Sequence, residues 1–238
     1  MVRAGYPIVL LALIVSTAHG GEILDVDTCG QIVPERARAR LASDLDCTGA
    51  SDPTFSSVTL GRGARLALEG HTITGGNRGI LCSSDCRVDG PGTIIGAEYG
   101  LSARKVRLTD VQFRLNSQAA VEGDAKVVGS QVLIAQSNWL GIRSAKKVRL
   151  TDSEIRSCFL EGIDASRVIL KDSVLVANGV GVLARTSVKL IRSTLSNVGG
   201  QSDFDIRSIR FPRLIASTCS GESEDYSTGF TWGVCARD

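Results

Sequence analysis

Three aspartates, Asp110, Asp152 and Asp172, recur in nearly the same context: Leu-Thr-Asp, Leu-Thr-Asp and Leu-Lys-Asp. Gln131 fills the equivalent place between the first two, and Arg192 fills the last. Carboxylates repeated at one position are a way to gather hard oxygen ligands for Ca²⁺. Asp110 and Asp152 would sit two coils apart, about 10 Å at the usual strand spacing, too far to share an ion. Asp152 and Asp172 are the adjacent pair. The same position follows a strand in each repeat, where Asp equally serves as a turn residue. A second set of carboxylates, Glu154, Glu161 and Asp164, is of the type from which a glycosidase draws an acid and a nucleophile or base, but spacing singles out no pair. Cys158 has no neighbouring His or Cys to activate it. His71, the one histidine of the repeat region, reads as a hydrogen-bonded strand or turn residue. Trp139 and Phe159 are one repeat apart and, with Tyr99 and Trp232, are the platforms on which sugar rings could stack.

These residues must be held by a repeat. The segments beginning at Val106, Val127, Val148, Val168 and Val188 align at spacings of 21, 21, 20 and 20 residues. A second ladder keeps step: Gly79-Ile80, Gly100-Leu101, Ala120-Val121, Gly141-Ile142, Gly162-Ile163 and Gly181-Val182. Such a period denotes stacked supersecondary units that share one continuous core. Within each unit apolar and polar residues alternate, the signature of strands, and Gly and Asn punctuate every coil. Two or three short strands per coil, stacked in register, make a parallel β-helix. Ile73, Ile94, Phe113, Ile134, Ile155, Leu175 and Leu195 form one expected inward ladder. Asn116, Ser137, Cys158 and Asn178 form an expected polar ladder three residues beyond it, with Asn138 and Asn197 one residue out of step. Cys158 then fills an Asn position. A leucine-rich repeat has an overlapping period but demands a denser leucine pattern than this one.

The 238 residues suit one elongated domain, with a core that is aliphatic because only 5% of residues are aromatic. Lys plus Arg number 27 against 25 Asp plus Glu, a balance unlike that of a dedicated nucleic-acid binder. Arg104–Arg107 and Lys146–Arg149 hold basic clusters at equivalent places of two repeats and predict a stripe on a solvated rim. Residues 1–20 read as a secretory leader: Arg3, the apolar run Ile8–Val15, then small residues near Ala18 and Gly20. No other segment is apolar enough to cross a membrane. The expected organisation is a leader over 1–20, an N-terminal cap over 21–57, β-helix repeats over 58–206 and a C-terminal cap over 207–238. Seven cysteines suit an oxidising compartment. Their sequence neighbours are Cys29 with Cys47, Cys82 with Cys86 and Cys219 with Cys235, though spacing does not fix connectivity, and Cys158 is left over.

The stretches Cys29-Gly-Gln, Arg40-Leu-Ala-Ser-Asp-Leu-Asp-Cys47 and Leu66-Ala-Leu-Glu-Gly-His-Thr-Ile-Thr-Gly75 resemble the opening of secreted bacterial right-handed parallel β-helix proteins of the pectate-lyase-like superfamily. The similarity covers residues 29–200. It implies an all-β, right-handed parallel β-helix with capped ends, in a group that spans pectate and polyuronate lyases, polygalacturonases, epimerases and adhesins. For a lyase the resemblance implies Ca²⁺ at Asp152 and Asp172 and a basic residue, Arg149 or Lys171, as the proton acceptor. Fold does not choose among these activities. The expectation set by the residues is a secreted or periplasmic, non-catalytic module engaging polysaccharide or a cell-envelope component along a lateral face. A polyuronate lyase or epimerase and a purely structural envelope or adhesin protein are the alternatives. No metal and no nucleic-acid partner is expected.

Overall fold

The computed structural model describes residues 22–49, 52, 54–197 and 204–234; the expected leader and Cys235 lie outside them. All regular structure among the described residues is β, and no helix is present that is long and apolar enough to cross a membrane. The strands pair in parallel to build three stacks. In the first, Val58, Ile80, Leu101, Val121, Ile142, Ile163, Val182 and Ile206 lie in register. In the second the inward column runs from Leu66 through Val88, Leu108, Gly129, Leu150, Leu170 and Leu190 to Leu214. The third is the ladder expected from sequence, from Ile73 to Leu195, preceded by Leu45. The chain is therefore a parallel β-solenoid with three strands to a coil.

The alternation of apolar and polar residues makes each strand two-faced, and the closed coil turns every apolar face inward. Ile142, Leu150 and Ile155, one from each stack of a single coil, are fully buried. Burying an aliphatic side chain contributes about 1.5–3 kcal/mol, and each coil repeats the contribution. The strand Leu140–Thr151 serves two stacks, because residues 145 and 146 drop out of the pairing and let it bend. The third stack takes the short strand Glu154–Arg156.

The two tighter corners are built from polar chemistry. Between the second and third stacks Asp110, Gln131, Asp152, Asp172 and Arg192 have φ of 55°, 55°, 49°, 49° and 47°. This left-handed conformation is costly for most residues and least so for Asp and Asn. The next residue is a buried serine in three coils: Ser153 N–H donates to Ser173 Oγ (3.3 Å), Ser173 N–H to Ser193 Oγ (3.2 Å) and Ser193 N–H to Ser217 Oγ (3.1 Å). Between the third stack and the next coil, Leu115, Gln136, Ser157 and Ala177 repeat the left-handed turn. The residues after them are the expected polar ladder. Cys158 N–H donates to Asn178 Oδ1 (3.1 Å), and Asn178 N–H donates to Asn197 Oδ1 (3.0 Å). Asn197 is thus in the ladder rather than out of step, since its coil is one residue shorter between Leu195 and the turn. Asp205 ends it: one buried carboxylate accepts from Asn197 N–H and Nδ2 and from the N–H groups of Ser220 and Gly221. Beside this corner a Cβ on Gly162 would lie 2.8 Å from the Gly181 carbonyl oxygen, which explains the Gly-Ile rhythm.

Within 21–57, Gln31–Val33, Arg38–Leu41 and Leu45–Asp46 already pair in parallel with the strands that follow. At the other end Thr231–Val234 lies antiparallel on Glu222–Asp225 and covers the last rung of the first stack. Cys29 is bonded to Cys47 and Cys82 to Cys86. Cys219 is also disulfide-bonded.

The Asn178 side chain makes three hydrogen bonds in a buried corner, and Asn178→Ala leaves the Cys158 N–H without its acceptor. The expected loss is about 3 kcal/mol in urea unfolding, against less than about 0.5 kcal/mol for exposed Asn138→Ala. Equal effects would refute a structural ladder.

Candidate functional site

An exposed aromatic surface lies on the corner between the third stack and the next coil. The left-handed turns at Gln136 and Ser157 end the third-stack strands, and the chain then takes three residues to reach the first stack. These short connections lie on one another: Phe159 N–H donates to Ser137 O (3.1 Å) and Leu160 N–H to Trp139 O (2.9 Å). The inward side is taken by the polar ladder, so the rings project outward. Trp139 is 52% exposed and Phe159 54%, and Leu115, one coil earlier, is 51% exposed. With the exposed amides of Gln136 and Asn138 they line an open groove of about 830 Å³ across successive coils. Among its described lining residues none carries a charge, the Cys158 thiol being buried. Apolar ring faces beside amide donors and acceptors match the two faces of a sugar: its C–H surface stacks and its hydroxyls hydrogen-bond.

Tyr99 does not line this groove. It sits on the first stack, where the Arg78 guanidinium lies 5.7 Å from its ring centre. Trp232 packs edge-on against Phe211 at 5.5 Å in the C-terminal part.

Of the residues expected for Ca²⁺ and proton abstraction, Asp152, Asp172 and Lys171 lie together at the corner between the second and third stacks. Asp172 is engaged in both oxygens by Arg192, at 2.6 and 2.8 Å, and Lys171 approaches it to 3.7 Å. The Arg192 hydrogen bond, followed by its charge, holds the Asp172 carboxyl below its ordinary range. Asp152 occupies the neighbouring left-handed turn and donates its N–H to the Lys171 carbonyl. Arg149 points outward from the second stack between Val128 and Ile169, three residues from the turn. A carboxylate already neutralised by a guanidinium is a poor cation ligand, so these residues do not fit Ca²⁺. Among the described residues no three His, Cys, Asp or Glu side chains converge.

Two further carboxylates share one strand. Glu161 and Asp164 lie on the first stack; Asp164 is 8% exposed and paired with Arg185 at 2.7 Å. Arg207, paired with Glu224 at 2.7 Å, lies on the same stack. Burial, and then the Asp164 charge, push the Glu161 carboxyl above its ordinary range, while Arg207 and Arg185 oppose them. Sequence spacing gave no reason to choose Glu161 over Glu154, which is half-exposed beside Arg156 at 3.4 Å. His71 pairs with Asp44 (3.2 Å), whose carboxylate also accepts the Thr72 N–H, so it is tied to the neighbouring coil. The Cys158 thiol is 2% exposed, and burial pushes it up to about 12.

No protein-family model, curated protein or solved structure matches the chain.

A thiol so raised is almost wholly protonated at pH 8. Iodoacetamide should leave Cys158 unmodified in the native protein and alkylate it after unfolding, as read by peptide mass spectrometry; prompt native labelling would overturn the buried ladder position. Glu161 has the opposite linkage from a salt-bridged acid. Its folded pKa is raised, so its ionised form destabilises the fold above that pKa. Glu161→Gln should raise the melting temperature at pH 8, with the gain vanishing as pH falls below the ordinary glutamate range near 4.3. A gain that persists at low pH would place the cause in packing instead.

Proposed function

We propose that the protein is a non-catalytic, carbohydrate-binding β-solenoid of the extracytoplasmic space, and that the groove at Trp139 and Phe159 takes the glycan. The carrying observation is the pair of half-exposed rings one coil apart, flanked by amides in an uncharged groove. A monomeric protein exposing large aromatic rings in a concave surface commonly does so for a ligand. The groove runs across coils and so suits an extended chain rather than a compact ligand. The Cys29–Cys47 and Cys82–Cys86 bonds support export, as does the leader read from residues 1–20. The likeness of residues 29–200 to the pectate-lyase-like superfamily, with its right-handed coil, rests on the sequence stretches quoted above.

One observation favours an enzyme. Glu161, with its raised pKa, and Asp164, held beside Arg185, are the contrast of environments that separates an acid from a base in glycoside hydrolysis. A polyuronate lyase or epimerase has weaker support, because Asp172 is already committed to Arg192.

The test is retention on insoluble neutral and acidic glycans, with titration of tryptophan fluorescence and assay of reducing and unsaturated ends. Trp139→Ala should weaken binding about tenfold, the equivalent of about 1.4 kcal/mol, without altering the melting temperature by more than a degree or two. Binding that survives Trp139→Ala and Phe159→Ala would remove the groove as the site. Release of new ends that Glu161→Gln abolishes would replace the binding module with a hydrolase.

A further inference from the structure

The near-neutral balance of charge conceals a strongly segregated surface. On the second stack the outward residues form columns that pass from coil to coil. Arg38, Arg65, Arg87 and Arg107 are four consecutive rungs of one column. Val128 interrupts it, Arg149 resumes it, and after Ile169 it ends in Lys189 and Arg213. Seven of these nine rungs are cationic. Two residues earlier in each strand a second column holds Lys105, Lys126, Lys147 and Arg167 on consecutive rungs. At about 4.8 Å per rung the first column is about 40 Å long.

Two of these cations are neutralised locally: Arg87 by Asp89 at 2.7 Å and Lys105 by Asp85 at 3.3 Å. Among the described residues, no ion pair within 4 Å engages Arg107, Lys126, Lys147, Arg149, Arg167 or Lys189. The strand segments from Lys105 to Thr109, Lys126 to Ser130, Lys147 to Thr151 and Arg167 to Lys171 contain no carboxylate. Like charges directly opposed on neighbouring strands destabilise a sheet. This chain has enough acidic residues to alternate them here, and does alternate them on the first stack, where Glu122, Arg143 and Asp164 are successive rungs. The uncompensated stacking on the second sheet is thus a local feature, not a consequence of composition.

A small cleft adjoins this face at the bend between the first and second stacks. It has a volume of about 230 Å³ and is lined by Lys146, Lys147, Arg167 and the hydroxyls of Ser166 and Thr186, which hydrogen-bond to each other at 2.9 Å. Beyond the basic columns lies a row of hydroxyls on successive rungs, Thr109, Ser130 and Thr151.

We infer that the second stack is a docking face for an extended acidic glycan, one bearing a carboxylate or sulfate on its sugars at regular intervals. A straight row of point charges and guanidinium forks complements a linear chain of oxyanions, and the adjacent hydroxyls can meet those of the sugar. The outward strand positions of this face hold no aromatic ring, whereas proteins that track single-stranded nucleic acid stack its bases on such rings. The face lies across the coil from the Trp139 groove, differs from it in ligand chemistry, and stands independently of the function proposed for it.

The mature, oxidised protein is applied at low ionic strength to immobilised dextran sulfate, polygalacturonate and neutral dextran, and to a 20-base-pair DNA duplex. Both acidic glycans should retain it, neutral dextran should not retain it through this face, and retention should fall steeply with added salt. Lys126→Ser/Lys147→Ser/Arg149→Ser should weaken binding to the acidic glycans at least tenfold. Arg114→Ser/Arg156→Ser/Arg210→Ser removes the same charge elsewhere and should change it less than twofold. Trp139→Ala should leave it unchanged, which separates this face from the groove. Equal loss in the two triple variants would reduce the effect to net charge and overturn the site. Tighter binding of the duplex than of either glycan would overturn the partner class. Salt-insensitive retention of the native protein, or none, overturns the proposal without recourse to any variant.

Discussion

Everything in this protein depends on the coil-to-coil register. A coil of about 20 residues cannot bury its own apolar edge; it acquires a core only when the same positions of the next coil lie on top of it. Side chains in a strand alternate between faces, so a slip of one residue would move the whole inward column, Val148 and Leu150 included, into water. The corners protect the register. They are the places where the ladder of backbone hydrogen bonds must turn, and buried N–H groups left unpaired there would each cost about 1–3 kcal/mol. Serines at one corner, and asparagines with Asp205 at the other, accept those N–H groups from within the protein.

The same constraint decides what is free to act. A residue at a left-handed turn between the second and third stacks is chosen first for its backbone, and Asp tolerates that conformation better than most. Asp110, Asp152 and Asp172 recur for this reason, and the Asp172 carboxylate is then spent on Arg192. By contrast the connections holding Trp139 and Phe159 are anchored by the ladder beneath them and have their outer side unconstrained. Side chains there can be large and apolar at no cost to the register. The outward columns of the second stack are equally unconstrained by packing, and the concentration of unpaired cations there runs against sheet stability.

Much of the fold was legible because it is periodic. The Val column from Val106 to Val188 and the Ile/Leu column from Ile73 to Leu195 appear in the structure as read, and so does the polar ladder through Asn116, Ser137, Cys158 and Asn178. The serine ladder was present in the same alignment, as the residue after Asp152, Asp172 and Arg192, but a serine in a turn has no distinctive signal until its Oγ is seen to accept from a neighbouring coil. The cationic column was harder to see. Val128 and Ile169 interrupt it, and its Arg87 and Arg65 rungs fall in coils whose motifs differ from the later ones. Two basic clusters were visible as a stripe, but its extent and how few of its cations are paired needed the register.

The sequence by itself determined the class of architecture, the strands, the inward columns and the one-repeat spacing of Trp139 and Phe159, because each is a matter of period and of side-chain type along one chain. Only the tertiary structure decided which charges meet. Asp172 found Arg192, Asp164 found Arg185, and the cations of seven coils fell into line. The physical reason is that electrostatic partners are set by distance across coils, and the coils vary in length from 20 residues between Arg87 and Arg107 to 27 between Arg38 and Arg65, so equal spacing in sequence is not equal position in space.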